Sequence, residues 1–212
     1  WATTFLLHGS TRPFEMDSND DSFLDFPTGS QFNAINRWVY NNGKGLLTQF
    51  GVKLLSDVKQ GGQTDFGAED RFTTNRYGFE IDTKRYEAWG KVGYQFNGKP
   101  YKSIGFQWSV MQHDHTSFYG FNEHDANEKS VYANLIYQSI IGSTNHKFKT
   151  GISFLYDRVD ETFANQQLDI IYRDTPVNSI LFDRKEFVPG VFMEYNYDAG
   201  GKFSAIAGLR LD

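Results

Sequence analysis

The 212-residue sequence contains no cysteine. That excludes a disulfide framework, a thiol nucleophile and a thiolate metal site, and it fits any compartment. Proline is scarce, at 5 residues. No stretch approaches the roughly 18 apolar residues of a membrane helix, which excludes helical membrane proteins without excluding membranes. Positive charge is in deficit: the formal net charge is -5 and the pI about 5.5, so there is no chain-wide basic footprint for nucleic acid. The opening Trp1-Ala2-Thr3-Thr4 carries no signal-peptide pattern. Neither a Gly-x-Ser-x-Gly elbow nor a Walker phosphate loop occurs.

What is present is aromatic. Phe, Tyr and Trp number 20, 12 and 4, or 17% of the chain, beside 20 glycines. Aromatics and glycine without proline read as β-structure with many tight turns. Period-two alternation runs through most of the sequence. In 46–58, Leu46, Phe50, Val52, Leu54 and Val58 fall on one parity, with Gln49, Lys53 and Asp57 on the other. In 85–97, Tyr86, Ala88, Val92, Tyr94 and Phe96 oppose Arg85, Glu87, Lys91 and Gln95. The pattern recurs around Ile104 to Val110, in 129–141, and around Phe148, Phe187 and Phe203. Weaker alternation around Phe5 and Trp38 raises the expected total to nine strands of about 8 to 13 residues.

The connections carry a second signal. Short turns are predicted at Asn41-Asn42-Gly43-Lys44-Gly45, Asn97-Gly98-Lys99-Pro100, Gly142-Ser143-Thr144-Asn145 and Asp198-Ala199-Gly200-Gly201. Long polar loops are predicted near 10–30, 59–84, 116–128 and 160–185. Short and long alternate, so each kind collects at one end of the sheet. Short turns at one end and long loops at the other are the pattern of an outer-membrane β-barrel. The expected fold is therefore all-β, an antiparallel up-and-down transmembrane barrel with short periplasmic turns and long extracellular loops. Its apolar face would meet outer-membrane lipid. Lys53, Glu87, Lys91, Glu194 and Arg210 would line a polar lumen. A soluble β-sandwich with one buried face explains the alternation equally well, but not the strand length or the one-sided loops. Nine is odd, whereas bacterial single-chain barrels close with even numbers. Residues 1–212 are thus expected to be a portion of a larger barrel.

Three constellations could carry chemistry. Asp17, Asn19 and Asp21 have the spacing of the first three ligands of a calcium loop, and Asp25 could complete a shorter one. Ser22 stands where glycine usually makes the sharp turn. A structural Ca2+ bracing an extracellular loop and a solvated acidic turn are both open readings of this segment. His113-Asp114-His115 and then Glu123-His124-Asp125 could offer a transition-metal site or an Asp–His general base at a barrel rim. The plainer reading is polar decoration, with His113, His115 and His124 as ligand-loop candidates. Arg37, Arg71, Arg76, Arg158, Arg173 and Arg184 could fork onto an anionic ligand or pair with local carboxylates.

The stretch from Phe187-Val188-Pro189-Gly190-Val191-Phe192-Met193-Glu194-Tyr195 to Ala207-Gly208-Leu209-Arg210-Leu211-Asp212 resembles the later barrel strands of TonB-dependent outer-membrane receptors. Residues 17–27 with Asn36-Arg37-Trp38 are similar to another recurrent barrel stretch of that family. The resemblance implies a barrel of about 22 strands with an N-terminal plug, energised import of a scarce ligand such as an iron–siderophore or cobalamin, and no enzymatic activity. It implies a TonB complex acting through a plug that these residues do not include. It also implies a small-molecule or metal-chelate ligand, and a surface lipoprotein as a further candidate partner. The alternatives are an outer-membrane barrel protease or lipase with rim His and Asp residues, and a soluble calcium-binding β-domain.

Overall fold

The computed structural model describes residues 1–166 and 179–212. Among them the chain is all-β, with nine strands in one antiparallel sheet. The strands are β1 (Ala2–Arg12), β2 (Thr28–Asn41), β3 (Leu46–Gly62), β4 (Gly78–Gln95), β5 (Ser103–Tyr119), β6 (Asn122–Ile141), β7 (Ser143–Asn165), β8 (Ser179–Asp198) and β9 (Ser204–Leu211). Each pairs with its neighbour in sequence, in the order β1-β2-β3-β4-β5-β6-β7-β8-β9, so the topology is up-and-down and the sheet is open. All nine predicted strands are present. No second sheet covers this one among the described residues, so the arrangement is not a two-layer sandwich.

The register turns the sequence alternation into two faces. Cross-strand partners share a face, so rows can be read directly across the sheet. One row runs Asn36, Val52, Ala88, Val110, Val131, Tyr156 and Phe187. Two rows further along the same face run Tyr40, Thr48, Val92, Phe106, Leu135, Ile152, Val191 and Leu211. These rows form one apolar band, and it is exposed: Phe187 is 67% and Leu209 76% accessible. Buried hydrophobic side chains are confined to Phe66 and Phe118 among the described residues. Aromatics bound the band at both ends. Tyr86 and Tyr94, Tyr156 and Phe148, Phe187 and Tyr195 each span eight residues. That is about 27 Å of strand, or about 20 Å of height at a tilt of about 40°.

The opposite face is mixed. Lys53 is the partner of Glu87, and Lys91 stands in a row with Gln107, Asn134 and Ser153. Lys149 pairs with Glu194 at 2.9 Å, and Arg210 with Asp212 at 2.6 Å. The five charged residues expected to share a polar face do so. Close approach to glycine tightens the sheet. At Gly90 a Cβ would lie 2.7 Å from the Trp108 indole nitrogen, so the ring lies across the space that glycine leaves open.

Loop length departs from the expected strict alternation. Residues 13–27 and 63–77 are long connections at one end of the sheet, but β5 and β6 are joined there by Gly120 and Phe121 alone. The predicted loop 116–128 is in fact the end of one hairpin. Apolar alternation stops at Val110 and Val131, while the hydrogen-bond ladder continues from Gln112–Lys129 to Tyr119–Asn122. Hydrophobic periodicity reports a strand only where one face is apolar, and here both faces have become polar. Of the predicted loop 160–185, residues 160–165 and 179–185 belong to β7 and β8, and 167–178 lie outside the described residues.

The two long connections are joined. Leu24 N–H donates to the Gly62 carbonyl at 2.9 Å, and Thr64 N–H to the Ser22 carbonyl at 3.0 Å. Gly62 has a φ of +121°, and a Cβ there would strike the backbone of Tyr77 and Gly78. Gly62→Ala is therefore expected to destabilise the fold by about 1–3 kcal/mol. A denaturant midpoint unchanged by the substitution would show that the turn accepts a side chain.

Candidate functional site

His113 and His115 lie toward the end of β5, and His124 lies on β6 at a position predicted as loop. Residues two apart in a strand share a face, and His124 is the cross-strand partner of Ser117. The ladder therefore gathers all three imidazoles on the polar face, beyond the end of the apolar band. His115 and His124 have ring centroids 5.3 Å apart, and His124 stacks on Phe163 of β7 at 4.2 Å with nearly parallel planes. Asp114 points to the other face, where it accepts from Gln112 and Asn127. A general base made of Asp114 with a neighbouring histidine is thus not formed, because adjacent strand residues face opposite ways.

The network around His115 fixes its tautomer. Ser117 Oγ donates to the His124 carbonyl at 3.3 Å, which uses its one hydroxyl proton. The 3.0 Å contact between His115 Nε2 and Ser117 Oγ then needs the imidazole as donor. Nδ1 is left to accept from Thr83 Oγ1 at 3.3 Å. These proton positions are assigned from the network. In this wiring the serine proton goes to a carbonyl, the reverse of a nucleophile activated by its histidine. Ser117 is also 2% exposed.

Charge on this rim depends on protonation. His124 Nε2 lies 3.6 Å from Glu161 Oε1, an ion pair only when the ring is charged. His113 Nδ1 and His124 Nε2 are buried and have no hydrogen-bond partner among the described residues. Arg85 and Glu128 flank His113 in its row. His115 sits past the apolar band, and its pKa falls below the ordinary imidazole value. Burial is the chief cause, followed by the neighbouring His124 and His113 rings, and Asp125 opposes them.

The carboxylate loop is ordered by its own hydrogen bonds. Asp17 accepts from the N–H groups of Asp21 and Ser22 at 3.2 and 2.9 Å, and Asp21 accepts from Phe23 N–H at 2.8 Å. Asp25 accepts from Ser18 N–H at 3.0 Å, and the Asn19 amide donates to Asp21 at 2.9 Å. Ser22, at the position expected for glycine, has a φ of +68° and makes the sharp turn without one. Among the described residues no group of three or more His, Asp or Glu is arranged to hold a metal ion.

The arginines mostly hold local carboxylates. Arg71 pairs with Glu80 at 2.5 Å and lies over the Phe118 ring, and Arg76 reaches the buried Asp70 at 3.4 Å. Arg184 reaches Glu186 at 3.5 Å. Arg158 pairs with Asp160 at 3.0 Å on the apolar-band face. Arg173 lies outside the described residues. Thr83, Ser117, Glu161 and Phe163 complete the histidine rim and carried no sequence signal, because only register brings them beside it. Comparison with protein-family models gives no match, and neither the curated proteins nor the solved structures give a significant one.

A lowered histidine pKa favours the neutral ring in the folded state. Its contribution to stability is full above the unfolded value of 6.5 and is lost as pH falls from there through the folded value. An NMR titration of histidine-labelled protein is expected to find the His115 midpoint below 6.5, with His124→Gln raising it. A His115 midpoint at or above 6.5 would contradict the network.

Proposed function

We propose that this chain forms wall of an outer-membrane β-barrel of the TonB-dependent receptor type, serving energised import of a scarce small molecule or metal chelate. The observation that carries the membrane part is the apolar band. It extends across the sheet on one face, flanked by Tyr86, Tyr156 and Phe187 toward one end and by Tyr94, Tyr137 and Phe148 toward the other. An apolar surface of that extent in water would drive association, whereas in a bilayer it serves as the lipid-facing band, its height of about 20 Å close to the roughly 25 Å of outer-membrane barrels. The mixed face, with its paired charges, suits a wet lumen.

The open edges of β1 and β9 support further strands completing the barrel. The transport part rests on the resemblance of residues 187–212 to later receptor strands. In this reading the chain performs no covalent chemistry. The connections 13–27 and 63–77, braced against one another, and the histidine rim face the outside, where cargo is met.

The membrane assignment can be read from two adjacent positions. These 212 residues have no cysteine, so each variant adds one thiol to a background in which any cysteine elsewhere in the intact protein is replaced by serine. Val110→Cys and Ser109→Cys place a fluorophore on the two faces of β5 at one height. In the intact protein reconstituted in phosphatidylcholine, brominated acyl chains are expected to quench the label at 110 and spare the label at 109. Equal quenching, or none, would overturn the lipid-facing assignment. For transport, loss of the gene is expected to abolish uptake of a limiting siderophore or cobalamin, with rescue only in cells with a functional TonB complex.

A further inference from the structure

We propose that the lipid-facing side carries a binding site for the phosphorylated headgroup of a membrane lipid, built from Lys129, Arg158 and Lys185. The inference rests on the membrane reading above. Lys129 on β6 is the partner of Arg158 on β7, and Arg158 is the partner of Lys185 on β8. Three cations thus stand side by side at the strand spacing of about 4.8 Å. Directly beneath them, on the same face, lie Val131, Tyr156 and Phe187. The row continues through Gln112 to Tyr86, so it lies at the upper aromatic boundary of the band, where lipid phosphates stand above their acyl chains.

Like charges placed directly opposite repel, so such a row calls for anions. The protein supplies a partial answer. Asp160 pairs with Arg158 at 3.0 Å, and Asp183 pairs with Lys185 at 3.0 Å and lies 3.9 Å from Arg158. Both carboxylates stand in the next row outward, away from the band. Two carboxylates therefore serve three cations. Lys129 is exposed and makes no ion pair or hydrogen bond among the described residues. The nearby Asp114 is held by Gln112 and Asn127 instead. Arginine and lysine side by side offer a fork and a point charge, the combination that suits a phosphate oxygen cluster.

A second feature favours a lipid over a free anion. A shallow apolar groove of about 470 Å³ lies across β3 to β6 on the same face, lined by Leu54, Tyr86, Ala88, Val110 and Val131, with Lys129 in its wall. Ala88 makes the depression, being smaller than its row neighbours Val52 and Val110. An acyl chain resting on that surface would lie beside Lys129, at one end of the cation row.

The test uses the intact protein with Val131→Cys labelled by an environment-sensitive fluorophore, in phosphatidylcholine vesicles doped with phosphatidylglycerol. Brominated phosphatidylglycerol is expected to quench the label with about tenfold higher apparent affinity than brominated phosphatidylcholine, a preference of about 1.4 kcal/mol. Lys129→Gln/Arg158→Gln/Lys185→Gln should abolish that preference while keeping the quenching by phosphatidylcholine, which reports that the variant is folded and inserted. Lys53→Gln/Lys91→Gln/Lys149→Gln changes charge equally on the polar face and should leave the preference intact. Equal quenching by the two lipids in the unaltered protein would overturn the site and leave the membrane reading standing. No quenching by either would overturn both. Survival of the preference in the first variant, its loss in the second, or displacement of the lipid by equimolar inorganic phosphate would each overturn the proposal.

Discussion

A backbone N–H or C=O without a partner in an apolar medium costs several kcal/mol, and continuous pairing between neighbouring strands removes that cost. In this molecule the ladder runs unbroken from β1 to β9, with an irregularity only beside Ile140 and Ile141 among the described residues. The rest depends on it. The ladder fixes register, register fixes which residues share a row, and rows decide which face each side chain meets. A slip of one residue would send Val110 to the polar face and His113 to the apolar one.

That constraint explains why so little of the sheet's apolar surface is covered. In a sandwich, the inner faces of two sheets supply each other's apolar surroundings. Here the hydrophobic side chains of the band remain exposed across the whole width of the sheet. The buried aromatic contacts lie elsewhere, where the connection 63–77 brings Phe66 and Phe72 against Phe118 and Arg71 caps the cluster. Local packing of that kind orders a connection. It does not cover the band.

The histidine rim and the cation row show one geometric rule giving two chemistries. On β5 to β7 beyond the band, the polar face collects His115, His124, Ser117 and Glu161. The other face collects Lys129, Arg158 and the carboxylates beyond them. Neighbouring residues in the chain, such as Glu128 and Lys129, serve opposite sides of the same wall. A charge placed on one side or the other of a strand therefore meets a different partner, whatever its position in the sequence.

Strand number, topology class and the composition of the two faces were legible in the sequence, because period two is a local property and Leu46 to Val58 or Tyr86 to Tyr94 display it directly. The candidate site was legible only in part. His113 and His115 announced a shared face, but Glu123-His124-Asp125 read as loop because polar residues on both faces erase the alternation. The reach of the β5–β6 hairpin to Tyr119 and Asn122, the separation of Asp114 from its histidine neighbours, and the alignment of Lys129, Arg158 and Lys185 were settled by tertiary structure. Each depends on pairing between residues far apart in the chain, and no local pattern encodes which residue of one strand lies opposite which residue of the next.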